Sequence, residues 1–220
     1  MLGIFGGTFD PIHFGHLRTA LEVKESLGII DLRFLPCRTP PHRNSPGASP
    51  EQRLLMLKLA LQDADVGFSI DCRELNREGP SYMVDTLASL RQEVADQPIC
   101  LVLGYDAFAA LPSWHCWRDI FTLANLAVMQ RPNSPDPALN KELSEIMQER
   151  RIKDADVLNI HPFGKIGIVR VSQLAISATL IRNLVASGKS PRYLLPNPVL
   201  AMIQSTGLYQ STNSSNQNTI

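Results

Sequence analysis

Two histidines three positions apart, His13 and His16, follow closely behind a pair of adjacent glycines, Gly6 and Gly7. Glycines let a backbone approach a phosphate with no Cβ in the way. Imidazoles beside such a backbone can donate hydrogen bonds to phosphate oxygens and stabilise negative charge as it develops. The chemistry this combination suits is transfer at phosphorus. The same H-x-x-H spacing also suits a metal pair, although no third ligand lies nearby in sequence. Neither the dinucleotide fingerprint G-x-G-x-x-G nor the P-loop G-x-x-x-x-G-K-[ST] stands at this place.

A second candidate lies near the other end of the chain, in Ile176-Ser177-Ala178-Thr179-Leu180-Ile181-Arg182. Ser177 and Thr179 offer hydroxyls, and Arg182 offers a planar guanidinium fork suited to phosphate. Taken alone, this segment reads equally as an N-capped helix with a solvated arginine. A third candidate is Gly104-Tyr105-Asp106 followed by Trp114-His115. An aspartate just past a strand can accept ribose hydroxyls, and Trp114 supplies a flat apolar face for a ring. Trp117 reads as core.

The elements that must position these groups are short apolar runs alternating with helical patterns. Strands are expected over residues 2–5, 32–35, 68–71, 99–103, 126–130 and 166–171. Helices are expected over 15–27, closed by Gly28, over 81–94, capped by Ser81, over 141–151, over 178–187, between Ser177 and Gly188, and over 198–206. A further helix starts at Ser49-Pro50-Glu51-Gln52, an S-x-x-Q capping box with proline in the first turn, after a proline-rich loop over 36–50. Strands alternating with helices imply an α/β fold, a mostly parallel sheet with helices on both faces. Each candidate then falls at a strand–helix junction, where open α/β sheets bind ligands and where a helix N-terminus favours anions. Residues 1–209 read as one domain, and residues 210–220 as a disordered polar tail with little to bury.

The 220 residues carry a formal net charge of zero, 44% hydrophobic and 19% charged residues. That composition builds a core and gives no basic excess for nucleic acid. No apolar run approaches the ~18–20 residues of a membrane span, and the N-terminus has no signal-peptide pattern. A cytoplasmic protein with reduced, scattered thiols at Cys37, Cys72, Cys100 and Cys116 is expected.

The run Gly6-Gly7-Thr8-Phe9-Asp10-Pro11-x-His13-x-Gly15-His16 resembles the signature of the nucleotidylyltransferase superfamily, in the form carried by bacterial nicotinate mononucleotide adenylyltransferases. Residues 176–182 resemble that family's I-S-S-T-x-I-R motif, with Ala178 at the second serine. Pro40-Pro41-His42-Arg43 is similar to its P-P-H-K element, and Gly79-Pro80-Ser81-Tyr82-Met83-Val84-Asp85-Thr86 to its G-x-S-Y-T-x-D-T segment, with Met83 at the first threonine. The resemblance runs from Met1 to about Tyr209.

It implies a Rossmann-like doubly wound sheet and transfer of AMP from ATP to nicotinate mononucleotide, with Mg²⁺ accompanying the ATP. It implies catalytic roles for His13, His16 and Arg182, and ATP contacts at Gly6, Gly7, Thr8, Phe9, Gly104, Asp106, Ser177 and Thr179. It implies mononucleotide contacts at His42, Arg43, Tyr82, Met83, Thr86, Trp114, His115 and Arg131. No nucleic acid or membrane partner follows from it. The alternatives are a phosphopantetheine adenylyltransferase or a cytidylyltransferase of the same superfamily, and a regulatory module that binds nucleotide without catalysis.

Overall fold

In strand β4 (Ile99–Gly104), Ile99, Leu101 and Leu103 join one hydrophobic core while Cys100 and Val102 join another, so the strand is buried on both faces. Strands β1 (Leu2–Gly7) and β5 (Asn125–Gln130) divide the same way: Leu2, Ile4, Leu126 and Val128 belong to one core, Phe5 and Ala127 to the other. Two-sided burial with a period of two is what a parallel sheet covered by helices requires. The computed structural model describes residues 1–40, 45–62, 67–130, 137–154, 157–172 and 174–211.

Among the described residues the sheet has six strands, completed by β2 (Asp31–Pro36), β3 (Phe68–Ile70) and β6 (Ile166–Arg170), in the order β3-β2-β1-β4-β5-β6. Every pairing is parallel. The order reverses between β1 and β4, the switch point of a doubly wound Rossmann-like sheet. The mostly parallel sheet expected from sequence is therefore parallel throughout.

The helices in chain order are α1 (Phe14–Ser26), α2 (Pro50–Ala60), α3 (Arg73–Asn76), α4 (Met83–Val94), α5 (Tyr105–Ala109), α6 (Ile120–Leu123), α7 (Lys141–Arg150), α8 (Val157–Ile160), α9 (Ala178–Ala186) and α10 (Asn197–Thr206). The capping box of α2 is present: Ser49 Oγ accepts from the Gln52 N–H and the Gln52 side chain accepts from the Ser49 N–H. Ser177 Oγ caps α9 by accepting from the Leu180 N–H at 3.1 Å. Gly28 and Gly188, just past α1 and α9, take φ of +59° and +70°, a left-handed turn that costs glycine nothing.

Ser81 does not cap α4. Tyr82 takes that position, and Ser81 Oγ instead accepts from the Arg38 N–H at 3.0 Å, binding the end of the β2 loop to the start of α4. The expected Ser81 cap is absent because a backbone donor from a distant part of the chain, the Arg38 N–H, occupies its hydroxyl oxygen. The short helices α3, α5, α6 and α8 were not anticipated, because a single turn leaves no periodic pattern to read. Among the described residues no helix is long and apolar enough to cross a membrane. All four cysteines are free. The tail expected at 210–220 falls, apart from Gln210 and Ser211, outside the described residues.

Candidate active site

A cleft of about 1160 Å³ opens at the carboxyl edge of the sheet, over the switch point between β1 and β4. One side is built by the β1–α1 loop and the start of α9. The other is built by the ends of β2 and β4, the start of α4 and the loop carrying Trp114.

His13 occupies the N-cap position of α1 with extended backbone, and its side chain makes no capping bond. The ring is 5% exposed, and its Nδ1 has no hydrogen-bond partner among the described residues. Burial lowers its pKa from the ordinary imidazole value to about 4, so the ring is neutral at physiological pH. One turn on, the His16 ring stacks on it with centroids 3.7 Å apart and planes at 23°. Phe9 and Phe5 meet His16 edge-on at 5.3 and 6.4 Å and fix its orientation. Gly15 makes room for the pair: a Cβ there would stand 2.9 Å from the His13 ring and 3.3 Å from the carbonyl oxygen of Ile176. The two motifs, distant in sequence, therefore touch.

Arg182 reaches across the same junction. Its Nη1 donates to the Asp10 carbonyl at 2.7 Å and its Nη2 to Thr179 Oγ1 at 3.2 Å, with the side chain 33% exposed toward the cleft. The Asp10 carboxylate is buried and accepts three bonds, from the N–H groups of Gly47 and Ala48 and from the Tyr209 hydroxyl. Beneath the loop, the fully buried Arg53 guanidinium donates to the carbonyls of Thr8, Cys37 and Arg38 at 2.9, 2.7 and 3.0 Å. Sequence reasoning assigned no role to Asp10, Arg53 or Tyr209. The aspartate lay within the motif, but the other two carry no local signal.

Gly6, Gly7, Thr8, Ser177 and Thr179 border the cleft beside the histidines. Phe9 is nearby, but its side chain is 2% exposed and packs against Phe5 and Phe34. Only its backbone, at φ +49°, can serve the cleft. Gly104 is the N-cap of α5, and the exposed Asp106 lies in the first turn of that helix, also on the cleft.

On the opposite side, Tyr82, Met83, Trp114 and His115 border the cleft. The Tyr82 and His115 rings stack at 4.4 Å, and Trp114 is half-buried against the neighbouring core. Trp117 is core, as expected. The first-turn N–H groups of α4 have no intrahelical acceptor and point out of the helix start. Thr86 does not reach the cleft. Its buried hydroxyl donates to Glu74 Oε1 at 2.7 Å and accepts from Arg77 Nη2 at 2.8 Å. Glu74 is itself 3% exposed, and burial pushes its carboxyl above the ordinary carboxylate range. Glu74 was not anticipated from sequence. His42, Arg43 and Arg131 lie outside the described residues. Among the described residues no three His, Cys, Asp or Glu side chains group as a metal cage.

A doubly wound parallel sheet, with a neutral histidine stacked on a second and an arginine meeting at a helix N-terminus over its switch point, defines a nucleotide-binding α/β protein of the phosphate-transferring kind. Comparison with known proteins narrows the class. The cytidylyltransferase-like family model matches residues 4–184. A protein of Methylococcus capsulatus named as a probable nicotinate-nucleotide adenylyltransferase is 53% identical over 209 residues, covering 95% of this chain and 99% of its own. One of Aeromonas salmonicida with the same name is 42% identical over 96% of this chain and 97% of its own. In structure, the nicotinic acid mononucleotide adenylyltransferase of Plasmodium falciparum, complexed with NaAD, superposes with a TM-score of 0.72 over 94% of this chain and 96% of its own. Its sequence identity is 14%, so that likeness speaks for the fold. The chain belongs to the nicotinate-nucleotide adenylyltransferases of the cytidylyltransferase-like family.

Proposed function

We propose that the protein transfers the AMP moiety of ATP to nicotinate mononucleotide, giving nicotinate adenine dinucleotide and pyrophosphate, a step of NAD biosynthesis. The observation that carries this reading is the meeting of the β1–α1 loop and the α9 start on one side of a cleft whose other side is aromatic. The family's relatives bear the corresponding name over nearly their whole length.

A phosphate oxygen of the mononucleotide attacks the α-phosphorus of ATP in line. A new P–O bond forms, and the bond to the β-phosphate oxygen breaks as pyrophosphate leaves. The acceptor supplies its own oxyanion, so no side chain becomes a nucleophile, and the protein contributes position and charge stabilisation. His13 and His16 hold the ATP phosphates. Neutral His13 has one N–H to donate. Arg182 and the N-terminus of α9 stabilise the departing pyrophosphate. Trp114 stacks on the pyridine ring beside Tyr82, and the first turn of α4, beginning at Met83, receives its carboxylate through backbone N–H groups, since the Tyr82 N–H already donates to the Pro80 carbonyl.

ATP enters as its Mg²⁺ complex. The ion would be held chiefly by phosphate oxygens and water and would screen the triphosphate charge. The reading places the protein in the cytoplasm, with no nucleic-acid or membrane partner.

Pyrophosphate release with ATP is to be measured against nicotinate mononucleotide, nicotinamide mononucleotide, phosphopantetheine and a CTP-dependent acceptor in parallel. Turnover confined to the nicotinate acceptor is expected. Comparable kcat/KM for the acid and the amide overturns the acceptor assignment, and preference for another acceptor, or binding of ATP without turnover, overturns the reaction.

A further inference from the structure

The Asp10 carboxylate is tied to parts of the chain that no catalytic motif contains. Its Oδ2 accepts from the Gly47 N–H at 2.8 Å, and its Oδ1 accepts from the Ala48 N–H at 3.1 Å and the Tyr209 hydroxyl at 2.6 Å. The Tyr209 ring is packed flat beside Gly47: a Cβ on that glycine would meet the ring at 3.1 Å and the Arg182 Cδ at 3.6 Å. Tyr209 is delivered by the turn after α10, where Gly207 takes φ +66° and Tyr209 itself φ +65°. Ser211 Oγ donates to the Ala186 carbonyl at 2.9 Å and holds the end of this turn against the end of α9.

A carboxylate this buried must find hydrogen-bond or charge partners. The nearest cation among the described residues is Arg182, whose Nη1 stands 3.7 Å from Oδ2 while donating to the Asp10 carbonyl at 2.7 Å. Three neutral donors already serve the two carboxylate oxygens. Arg182 is thereby left to bond the main chain and to keep its exposed edge toward the cleft. Without the phenol, Oδ1 keeps only the Ala48 N–H, and the arginine becomes the replacement partner. Its guanidinium then turns inward, away from the phosphates.

We propose that Tyr209 is a positioning residue for the phosphate chemistry: its hydroxyl occupies the Asp10 carboxylate and so holds Arg182 in the cleft. The inference rests on the adenylyltransferase reading above for the role of Arg182. It gives the C-terminal turn a part in ATP handling and none in acceptor binding.

The test is Tyr209→Phe, alone and combined with Arg182→Gln, with Tyr193→Phe, a change at an exposed ring 82% accessible, as the control. Steady-state constants are taken per folded enzyme, and ATP affinity is measured separately by calorimetric titration of the full chain. One hydrogen bond to a charged group is at stake, so kcat/KM for ATP is expected to fall ~10-fold. The KM for the mononucleotide should not move. In the Arg182→Gln background the same substitution should change kcat/KM less than ~2-fold, because coupled residues are not additive. A merely structural role lowers the folded fraction and leaves this coupling absent. Wild-type constants in Tyr209→Phe, or an undiminished effect in the Arg182→Gln background, overturn the proposal. Should Tyr209→Phe not fold, Gly47→Ala displaces the ring with its hydroxyl intact, and unchanged ATP constants there overturn it equally. If the wild-type protein releases no pyrophosphate, the adenylyltransferase reading fails by itself, while ATP titration still reports on Tyr209.

Discussion

Around Asp10 and Arg53, polar groups from the β1–α1 loop, from Cys37, Arg38, Gly47 and Ala48, from α9 and from the C-terminal turn are joined by bonds of 2.6 to 3.2 Å, with charged side chains at their centre. Around Trp114 the cleft is made of rings and of the backbone at the α4 start, and a polar network, Glu74–Thr86–Arg77, meets it only at the buried Glu74. The first region holds charged groups at fixed positions, which is what stabilising a changing phosphate charge demands. The second presents flat faces and backbone N–H groups, which recognise a ring and a carboxylate without reacting with either. On the function proposed above, the first side serves catalysis and the second recognition.

The largest expected effect lies on the histidine side. Removing the stacked ring in His16→Ala should lower kcat by ~10²–10³ while leaving the mononucleotide KM unchanged, as read by pyrophosphate release. A variant that folds and turns over normally removes His16 from the mechanism. Next, Arg53→Met leaves three part-buried carbonyls without their donor. Urea unfolding should show a loss of about 3 kcal/mol, with the histidine side loosened first in hydrogen exchange.

Acidification should act on the same side. Because the folded-state pKa of His13 lies at about 4, below the ordinary value of 6.5, the unfolded chain binds more protons between those values. Stability is therefore full above about pH 7 and falls as pH drops through this window, by up to about 3 kcal/mol. His13→Gln should flatten that slope in acid-unfolding curves, and an unchanged slope assigns it elsewhere.

On the recognition side, Trp114→Ala should raise the mononucleotide KM by ~10-fold, the worth of one aromatic stack, and leave the ATP constants alone. If the ATP constants move instead, the division of the cleft is wrong. The smallest effect belongs to Glu74, whose pH dependence has the opposite sign. Its folded pKa is raised by burial, so the folded state holds the proton more tightly and stability falls as pH rises from the unfolded carboxylate value. Glu74→Gln should remove this decline, seen as a slightly higher melting temperature above the ordinary carboxylate range than below it, relative to wild type.

The unequal legibility of the two sides follows from their chemistry. The roles proposed for His13, His16, Ser177, Thr179 and Arg182 rest on side chains at fixed spacing from strand ends, and spacing survives in letters. The α2 and α9 caps were equally readable, because Ser49 and Ser177 bond within their own helix turn. Ser81 was misjudged because its hydroxyl had a partner 43 residues away in sequence, the Arg38 N–H. Thr86 was placed at the acceptor because its motif is shared, yet its hydroxyl is consumed by Glu74 and Arg77. Backbone N–H groups at the start of α4 have no letter at all.

By itself the sequence determined that this chain is an α/β protein and that two separated segments, at strand–helix junctions, carry the residue types the proposed phosphate chemistry needs. Those are local properties, set by periodicity, capping and residue type over a few turns. Only the tertiary structure decided that Asp10 binds Tyr209 across 199 positions, that an arginine of α2 lies buried under the histidine loop, and that one histidine is stripped of water and held neutral. Burial and long-range hydrogen bonding arise when distant segments exclude solvent together, and no stretch of sequence read alone records which segments those are.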